Sequence, residues 1–262
     1  MDDAPLRRPP SMIRNSTLRS LMEFAGDRIA SELACVTLST GSVVFDNDDP
    51  GPYAIFPAEC VLSLRGLLPD GGSSELALIS RDGMVGLGAV AGNGPVGGKV
   101  RMRWHAMRGG AAWRLPTRTL LDLIDASPAV HSAIMACYNR LAWEFLVRAQ
   151  CNRHHRLEEQ LCGWLLRFSA LSESDEIACT QQEIADVIGV RREGVTEALG
   201  RLQAIGAVDC GRGRLRILDP SALDGRACGC QRVVDDRLSA SITQAVATNN
   251  ADRPAAFHKT LA

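Results

Sequence analysis

Residues 180–202 have the sequence TQQEIADVIGVRREGVTEALGRL, in which two short helical patterns flank a turn at Gly189. Thr180 and Glu183 have the spacing of a capping box, where the hydroxyl accepts from the N3 amide and the carboxylate accepts from the cap amide. A helix is therefore expected to begin at about Gln181. Gly189 supplies the positive φ that ends this helix and turns the chain.

A second helix is predicted directly after the turn, because apolar residues recur there at spacings of three and four. The positions expected to be buried are Val195, Ala198, Leu199, Leu202 and Ile205. The intervening polar residues then point outward: Arg191, Arg192, Glu193, Thr196, Glu197 and Arg201. A short helix, a sharp turn and a second helix with a polar N-terminal end form the helix-turn-helix arrangement that enters the major groove of DNA.

Two short β runs follow, at residues 208–210 and 215–218, on either side of Gly211-Arg212-Gly213. This glycine-rich tip predicts a hairpin beside the second helix, that is, a wing. Residues 189–216 hold six arginines and three acids, a local charge of +3, whereas the whole chain carries −1. Any affinity for DNA phosphates must therefore come from this local surface.

The 262 residues are enough for two packed domains. Residues 1–16 are predicted to be a disordered tail and residues 241–262 a flexible tail. Between residues 17 and 126, a short amphipathic helix precedes apolar runs separated by turn formers, which predicts an antiparallel sheet domain. The runs are 36–38, 43–45, 53–56, 61–64, 76–79, 100–104 and 112–115.

A long helix capped by Ser127 and Pro128 is predicted next, with residues 127–153 forming a dimerisation helix and hinge. Its first apolar face comprises Val130, Ile134, Cys137, Leu141 and Phe145. Its second comprises Met135, Tyr138, Ala142, Trp143 and Leu146. Two apolar faces exceed what one neighbouring domain covers, so we expect a partner helix in a homodimer. Arg140, Glu144 and Arg148 form an i,i+4 ladder that is predicted to be a solvated stripe.

Residues 180–202 resemble the C-terminal helix-turn-helix of the Crp/Fnr family of bacterial transcription regulators. Further landmarks of one branch of that family occur in order: YAIFP at 53–57, SRDGMVG at 80–86, CNRH at 151–154, GVRR at 189–192 and CGC at 228–230. The resemblance implies an α+β chain with an N-terminal β-roll (a cyclic-nucleotide-binding-like jelly roll, 17–126), the dimerisation helix, and a C-terminal winged helix-turn-helix (154–240). It also implies a homodimer on a pseudo-palindromic operator of double-stranded DNA, and contact with RNA polymerase.

The family's Arg-Glu pair at the start of the recognition helix falls on Arg192 and Glu193. Arginine bonds O6 and N7 of guanine, and glutamate accepts from N4 of cytosine, so both are predicted to contact bases. Glu197, one turn later, is expected to reach a further base or to orient Arg201. The candidates for contacts with the DNA backbone are Thr180, Gln182, Arg191, Thr196, Arg201 and Arg212. The alternative is that Glu193 and Glu197 only pair with the neighbouring arginines on a solvated face.

The effector is not identified by the sequence. Cyclic-nucleotide binders of this family place a glutamate after the pocket glycine and an Arg-Ser or Arg-Thr pair further on, whereas this chain has Gly83-Met84 and no such pair between residues 83 and 104. Cyclic AMP is therefore not expected, unless Arg101 or Arg103 compensates. Cys35 and Cys60 alone cannot ligate an iron-sulfur cluster, and haem is not supported either.

Nine cysteines in irregular spacing predict reduced thiols in a cytoplasmic protein. Cys228-Gly-Cys230 is the tightest pair, but without a second pair it falls short of a closed zinc site, so packed thiols are expected rather than a metal or redox site. His154 and His155 diverge by about 100° on a helix and are not expected to share a metal. The cysteines at helical positions, Cys137, Cys151 and Cys162, are expected to be small core residues.

The sequence contains neither a secretory signal nor an uncharged apolar run of about 20 residues, so no membrane association is expected. No arrangement of nucleophile, base and orienting group stands out, which argues against an enzyme. The leading hypothesis is a dimeric, sequence-specific DNA-binding regulator. The alternatives are a thiol- or metal-responsive sensor, and a sensor module that uses its winged helix to bind another protein.

Overall fold

The computed structural model describes residues 13–46, 51–69, 71–86, 101–230 and 232–233. The predicted tails at residues 1–12 and 241–262 lie outside these ranges. Residues 13–16, assigned above to the first tail, are instead packed against the sheet domain. Asn15 is fully buried, and its amide donates to the carbonyls of Pro57 and Gly83 at 2.9 and 2.8 Å. The same side chain caps the first helix by accepting from the amide of Leu18.

The N-terminal domain is a β-roll of two antiparallel sheets preceded by helix α1 (Ser16–Glu32). Its strands are β1 (Ala34–Leu38), β2 (Val43–Asp46), β3 (Tyr53–Pro57), β4 (Val61–Leu67), β5 (Ser73–Ile79), β6 (Arg101–Arg108) and β7 (Gly110–Pro116). The sheet orders are β1-β7-β3 and β2-β6-β4-β5. Each predicted apolar run lies within one of these strands, apart from residue 100, which is outside the described ranges.

Helix α2 (Thr117–Ala126) and helix α3 (Pro128–His154) complete this domain. Together with α1 they pack on the β1-β7-β3 sheet around a core that includes Leu18, Phe56, Trp113 and Leu120. As predicted, Ser127 caps α3, accepting from the amide of Val130, and Pro128 occupies the first turn.

The second half of α3 contradicts the predicted solvated stripe. Arg140, Glu144 and Arg148 are buried, with 7%, 4% and 6% of their surface exposed. They form ion pairs with Asp82, Arg167 and Glu75, respectively. The helix buries charges here because carboxylates and a guanidinium of other elements face them, and charges are buried in proteins when they are paired.

Phe145, the last residue of the first predicted apolar face of α3, is 36% exposed. Helix α3 continues to His154, with His155 as its C-cap, so the hinge expected within residues 127–153 is helical. The cap amide donates to the carbonyl of Cys151 at 3.0 Å, so residues 152–155 keep the helical hydrogen-bond pattern.

The C-terminal domain consists of α4 (Leu157–Ser172), β8 (Glu176–Ile177), α5 (Gln181–Ile188), α6 (Arg192–Ala204), β9 (Val208–Gly211), β10 (Arg214–Ile217) and α7 (Pro220–Asp224). Its core is formed by the apolar faces of the three longer helices, with Trp164, Ile184 and Leu199 among the buried residues. Ile205 was expected in this core but is 48% exposed, because α6 ends one residue earlier and Ile205 is its C-cap.

The C-terminal domain packs directly on the β-roll. The hydroxyl of Ser73 in β5 donates to the carbonyl of Asp186 in α5 at 3.2 Å. The buried carboxylate of Glu75, also in β5, accepts from Arg148 at 2.6 Å and from Nε1 of Trp164 at 3.1 Å. One acidic side chain thus connects the β-roll, α3 and α4.

Within the described ranges, no single helix has both the length and the apolar character to cross a bilayer. Helices α2 and α3 pass that test only when they are taken together across a bend of 119°.

Candidate nucleic-acid interface

Helix α5 begins with the predicted capping box. The amide of Glu183 donates to Oγ1 of Thr180 at 3.1 Å, and the amide of Thr180 donates to Oε2 of Glu183 at 2.7 Å. The helix ends at Gly189, whose φ of 80° is the left-handed conformation expected there. Its buried face presents Ile184, Ala185 and Ile188 to the domain core. Local sequence signals therefore determine both ends of α5.

Helix α6 begins at Arg192, three residues after the turn, and is held against its neighbours by two contacts. Oγ1 of Thr196 donates to Oε1 of Gln181 at 2.7 Å, which joins α6 to the first turn of α5. A Cβ at Gly194 would lie 3.0 Å from the Leu157 side chain, so α6 approaches α4 closely at that position. The first contact joins the two helices of the motif, and the second fixes α6 against α4.

The predicted base-contacting side chains lie together on the outer face of α6. Arg192, Glu193 and Glu197 are exposed, as is Arg191 just before the helix. Within the described part of the chain, none of the four forms a side-chain hydrogen bond or ion pair. The pairing of Glu193 and Glu197 with arginines, the alternative considered above, is therefore not observed, and these groups are available to a ligand.

Arg201 is placed differently from the other predicted contacts. It lies in the last turn of α6, and its Nε donates to Oε2 of Glu158 in α4 at 2.7 Å. It is thus neither beside the exposed N-terminal turn nor paired with Glu197. Of the remaining candidates, Gln182 is exposed and donates to Asp186 at 2.8 Å, and Thr180 is exposed at the start of α5.

Strands β9 and β10 form the predicted wing. They pair antiparallel, with Val208 opposite Ile217 and Gly211 opposite Arg214. Gly213 has a φ of 70°, which the tight tip requires. The tip residue Arg212 is exposed, and so are Arg214 and Arg216 on β10. The motif and the wing together present an excess of arginine on one domain.

Met84, Arg101 and Arg103, the β-roll residues considered above for nucleotide binding, all have neighbours within the fold. Met84 is 1% exposed and belongs to the apolar core next to Phe56 and Trp113. Nε of Arg103 donates to Asp46 at 2.7 Å, and Nη2 of Arg101 lies 3.8 Å from the same carboxylate. Both arginines considered as replacements for the family's phosphate ligand thus have an acidic partner, while residues 87–100 lie outside the described ranges.

Sequence reasoning missed the polar groups that join the domains. Glu75 was not singled out, although it is fully buried and accepts from Ser63 as well as from Arg148 and Trp164. Burial raises the pKa of Glu75 above its ordinary value, and the positive charge of Arg148 opposes that shift. An acidic residue directly before the apolar run 76–79 was the available signal, but its partners are distant in sequence.

Comparisons with known proteins agree with this architecture. Residues 159–226 match the family model of the Crp-like helix-turn-helix domain. A comparison with curated protein sequences finds no match.

Among solved structures, a candidate Crp/Fnr family transcriptional regulator from Eubacterium rectale superposes with a TM-score of 0.66 at 19% identity, over 84% of this chain and 99% of the other. A CRP/FNR family transcriptional regulator from Thermus thermophilus gives a TM-score of 0.61 at 21% identity, over 74% and 97%. FixK2 from Bradyrhizobium japonicum gives 0.60 at 16% identity, over 75% and 98%.

The fold, with its β-roll, long connecting helix and winged helix-turn-helix domain, is the one found in these solved transcription regulators. Residues 159–226 thus carry a Crp-like helix-turn-helix domain, and the chain has the fold of the Crp/Fnr regulators with which it superposes. The α+β architecture predicted from the sequence is thereby confirmed.

Proposed function

We propose that the protein is a sequence-specific DNA-binding transcription regulator that acts as a homodimer on a pseudo-palindromic operator. The observation that carries this proposal is a cluster of exposed polar side chains at the N-terminal end of α6, next to an arginine-rich wing. The cluster comprises Arg191, Arg192, Glu193 and Glu197, whose side chains form no hydrogen bond or ion pair within the described part of the chain. In helix-turn-helix proteins the N-terminal residues of the second helix contact base edges in the major groove.

Within this cluster, Arg192 is assigned to a guanine, because its guanidinium can donate to O6 and N7 together. Glu193 is assigned to the N4 amine of a cytosine, and Glu197 to a further base one turn along. Contacts with phosphates, which position the domain without specifying sequence, are assigned to Arg191, Thr180, Gln182, Thr196 and Arg212. Arg201 is the weakest candidate of this group, because it pairs with Glu158 at the far end of α6.

The exposed apolar face of α3 supports a dimer. Met135, Phe145 and Leu146 are 39%, 36% and 56% exposed on one helix, and Trp143 beside them is 40% exposed. Contiguous exposed apolar residues are typical of protein interfaces. Two copies joined along α3 present two recognition helices, which explains why the operator should be a pseudo-palindrome with half-sites about one helical turn apart.

The remaining assignments follow from this role. We expect the protein to act in the bacterial cytoplasm, to contact RNA polymerase as family resemblance implies, and to have no catalytic activity. Titration with cyclic nucleotides tests the β-roll for an effector. A sensor that uses the winged helix to bind another protein remains the second candidate function.

Selection of DNA from a random pool tests the proposal. We expect the full-length protein to enrich one pseudo-palindromic sequence, and binding to that sequence to weaken with rising salt as phosphate contacts are screened. Enrichment of no sequence, together with no salt-sensitive binding to random fragments, would instead favour the protein-interaction module.

A further inference from the structure

Four potential metal ligands meet at the C-terminal end of α3. Cys151 and His155 lie at the end of this helix, and Cys228 and Cys230 follow α7 near the end of the winged-helix domain. Sγ of Cys151 lies 3.6 Å from Sγ of Cys228, and Sγ of Cys230 lies 3.4 Å from Nδ1 of His155. All four ligand atoms are within 4.8 Å of one another. Pairs that are 77 and 75 residues apart in sequence are thus brought into contact.

The backbone holds each half of this cluster in place. The amide of His155 donates to the carbonyl of Cys151 at 3.0 Å, so the two side chains are one helical turn apart on the same face. Nε2 of Gln160 donates to the carbonyl of His155 at 2.9 Å. In the other half, Gly229 has a φ of 70°, and this turn allows both flanking thiols to face α3.

Two separations within the cluster fit tetrahedral zinc coordination. Zn²⁺ binds thiolate sulfur at about 2.3 Å and imidazole nitrogen at about 2.0–2.1 Å in tetrahedral geometry. Those bond lengths place two sulfur ligands about 3.8 Å apart, and a sulfur and a nitrogen ligand about 3.5 Å apart. The observed separations of 3.6 Å and 3.4 Å are close to both values.

The other thiols of the chain have different surroundings. Cys60, Cys162 and Cys179 are buried members of the apolar cores, where a cysteine acts as a small hydrophobic residue. In the cluster, by contrast, Cys151 is buried while His155, Cys228 and Cys230 are partly exposed, which leaves an entry path for a cation. The expectation that Cys228 and Cys230 are merely packed thiols rested on the lack of further ligands in sequence, and the fold supplies them.

We propose that Cys151, His155, Cys228 and Cys230 bind one Zn²⁺ per chain in a closed Cys₃His site. Four protein ligands and no open position are typical of structural rather than catalytic zinc. The ion would connect the end of the proposed dimerisation helix to the segment that follows α7. It thereby restrains the winged-helix domain relative to α3 at a second point, distinct from the Glu75 contacts.

The first experiment measures metal in the full-length protein, purified in a reducing buffer without chelator. We expect one zinc per chain by elemental analysis. His155→Gln and Cys228→Ser should each lose most of it, whereas Cys210→Ser, which changes a half-buried thiol of β9 outside the cluster, should retain it. Equal zinc content in Cys228→Ser and Cys210→Ser would overturn the assignment.

A second measurement does not depend on the variants being folded. Wild-type protein stripped of metal under reducing conditions and titrated with Co²⁺ should develop the intense visible bands of tetrahedral cobalt and thiolate-to-metal charge transfer, saturating at one equivalent. Zn²⁺ should then displace the cobalt. Absence of these bands, or a protein that neither contains nor takes up metal while Cys151 and Cys228 are found joined in a disulfide, would exclude the zinc site.

Discussion

Glu75 of the β-roll accepts a hydrogen bond of 3.1 Å from Nε1 of Trp164, a core residue of the winged-helix domain. The same carboxylate oxygen lies 2.6 Å from Nη2 of Arg148 on α3, and the other accepts from Ser63. With Glu75 fully buried, no solvent replaces these partners. The Glu75 carboxylate therefore contacts the β-roll, helix α3 and the winged-helix domain at once.

Glu75→Gln should destabilise the protein strongly. Removing one partner of a buried ion pair leaves the other charge uncompensated, which typically costs about 3–5 kcal/mol. Trp164→Phe removes the hydrogen bond to the buried carboxylate, typically worth about 1.5–3 kcal/mol, and adds the cost of the cavity left by the larger indole ring. Urea unfolding measures both. Glu173→Gln is the matched control, because its ion pairs with Arg14 and Arg81 are exposed and should contribute little. Similar losses for Glu75→Gln and Glu173→Gln would show that the buried network is not stabilising.

Arg192→Ala should strongly reduce the preference for the selected operator while leaving weak, salt-sensitive binding. One bidentate guanine contact gives about 1–3 kcal/mol of discrimination, which is roughly 5- to 150-fold in relative affinity. Fluorescence anisotropy with operator and random duplexes at several salt concentrations measures this. Arg201→Ala is the control within the same helix and should change the operator preference little. If Arg192→Ala weakened both duplexes equally, Arg192 would be a phosphate contact only.

Leu146→Glu should convert the proposed dimer into a monomer. The substitution places a charge on the exposed apolar face of α3, where a partner helix would have to bury it. Sedimentation equilibrium at micromolar concentration shows the change. Leu68→Glu is the matched control, since Leu68 is also largely exposed, at 61% against 56% for Leu146, but follows β4. A wild-type protein that sediments as a monomer with and without operator DNA removes the dimer from the proposal.

Stability should depend on pH through His105. Burial, reinforced by the nearby charges of Arg65 and Arg103, lowers the pKa of His105 from 6.5 to about 4. Between these values the unfolded chain binds a proton that the folded chain does not, so the free energy of unfolding should fall as pH drops through that range. Urea unfolding at several pH values measures this dependence. His105→Asn should make the free energy of unfolding less dependent on pH, whereas His131→Asn, at an exposed position, should not. If the free energy of unfolding varied with pH equally in the wild type and in His105→Asn, His105 would not be the group responsible.

Cyclic AMP and cyclic GMP should neither bind the β-roll tightly nor change affinity for the operator. Met84 occupies the apolar core where the family's nucleotide binders place a carboxylate, and a ligand shifts a conformational equilibrium only through differential contacts. Isothermal titration calorimetry with each nucleotide provides the measurement. A micromolar dissociation constant accompanied by tighter operator binding would show that other residues form the pocket.

Much of the winged-helix domain was predictable from sequence because its signals are local. The Thr180–Glu183 capping box, the positive φ at Gly189 and the apolar spacing of α6 act over three or four residues, and the structure has all of them. The strands of the β-roll followed from short apolar runs between turn formers. The prediction that Ile205 is buried was wrong because periodicity alone does not indicate where a helix ends.

The tertiary structure alone decided which face of α3 is buried and where the potential ligands meet. By local spacing, Arg140, Glu144 and Arg148 resemble a solvated ladder, and they are buried only because partners from other elements face them. Glu75 lies 89 residues from Trp164, and Cys151 lies 77 residues from Cys228. Local sequence determines helices, turns and strands, since their hydrogen bonds close within a few residues. Pairing between distant side chains depends on how those elements pack, and no periodicity encodes it.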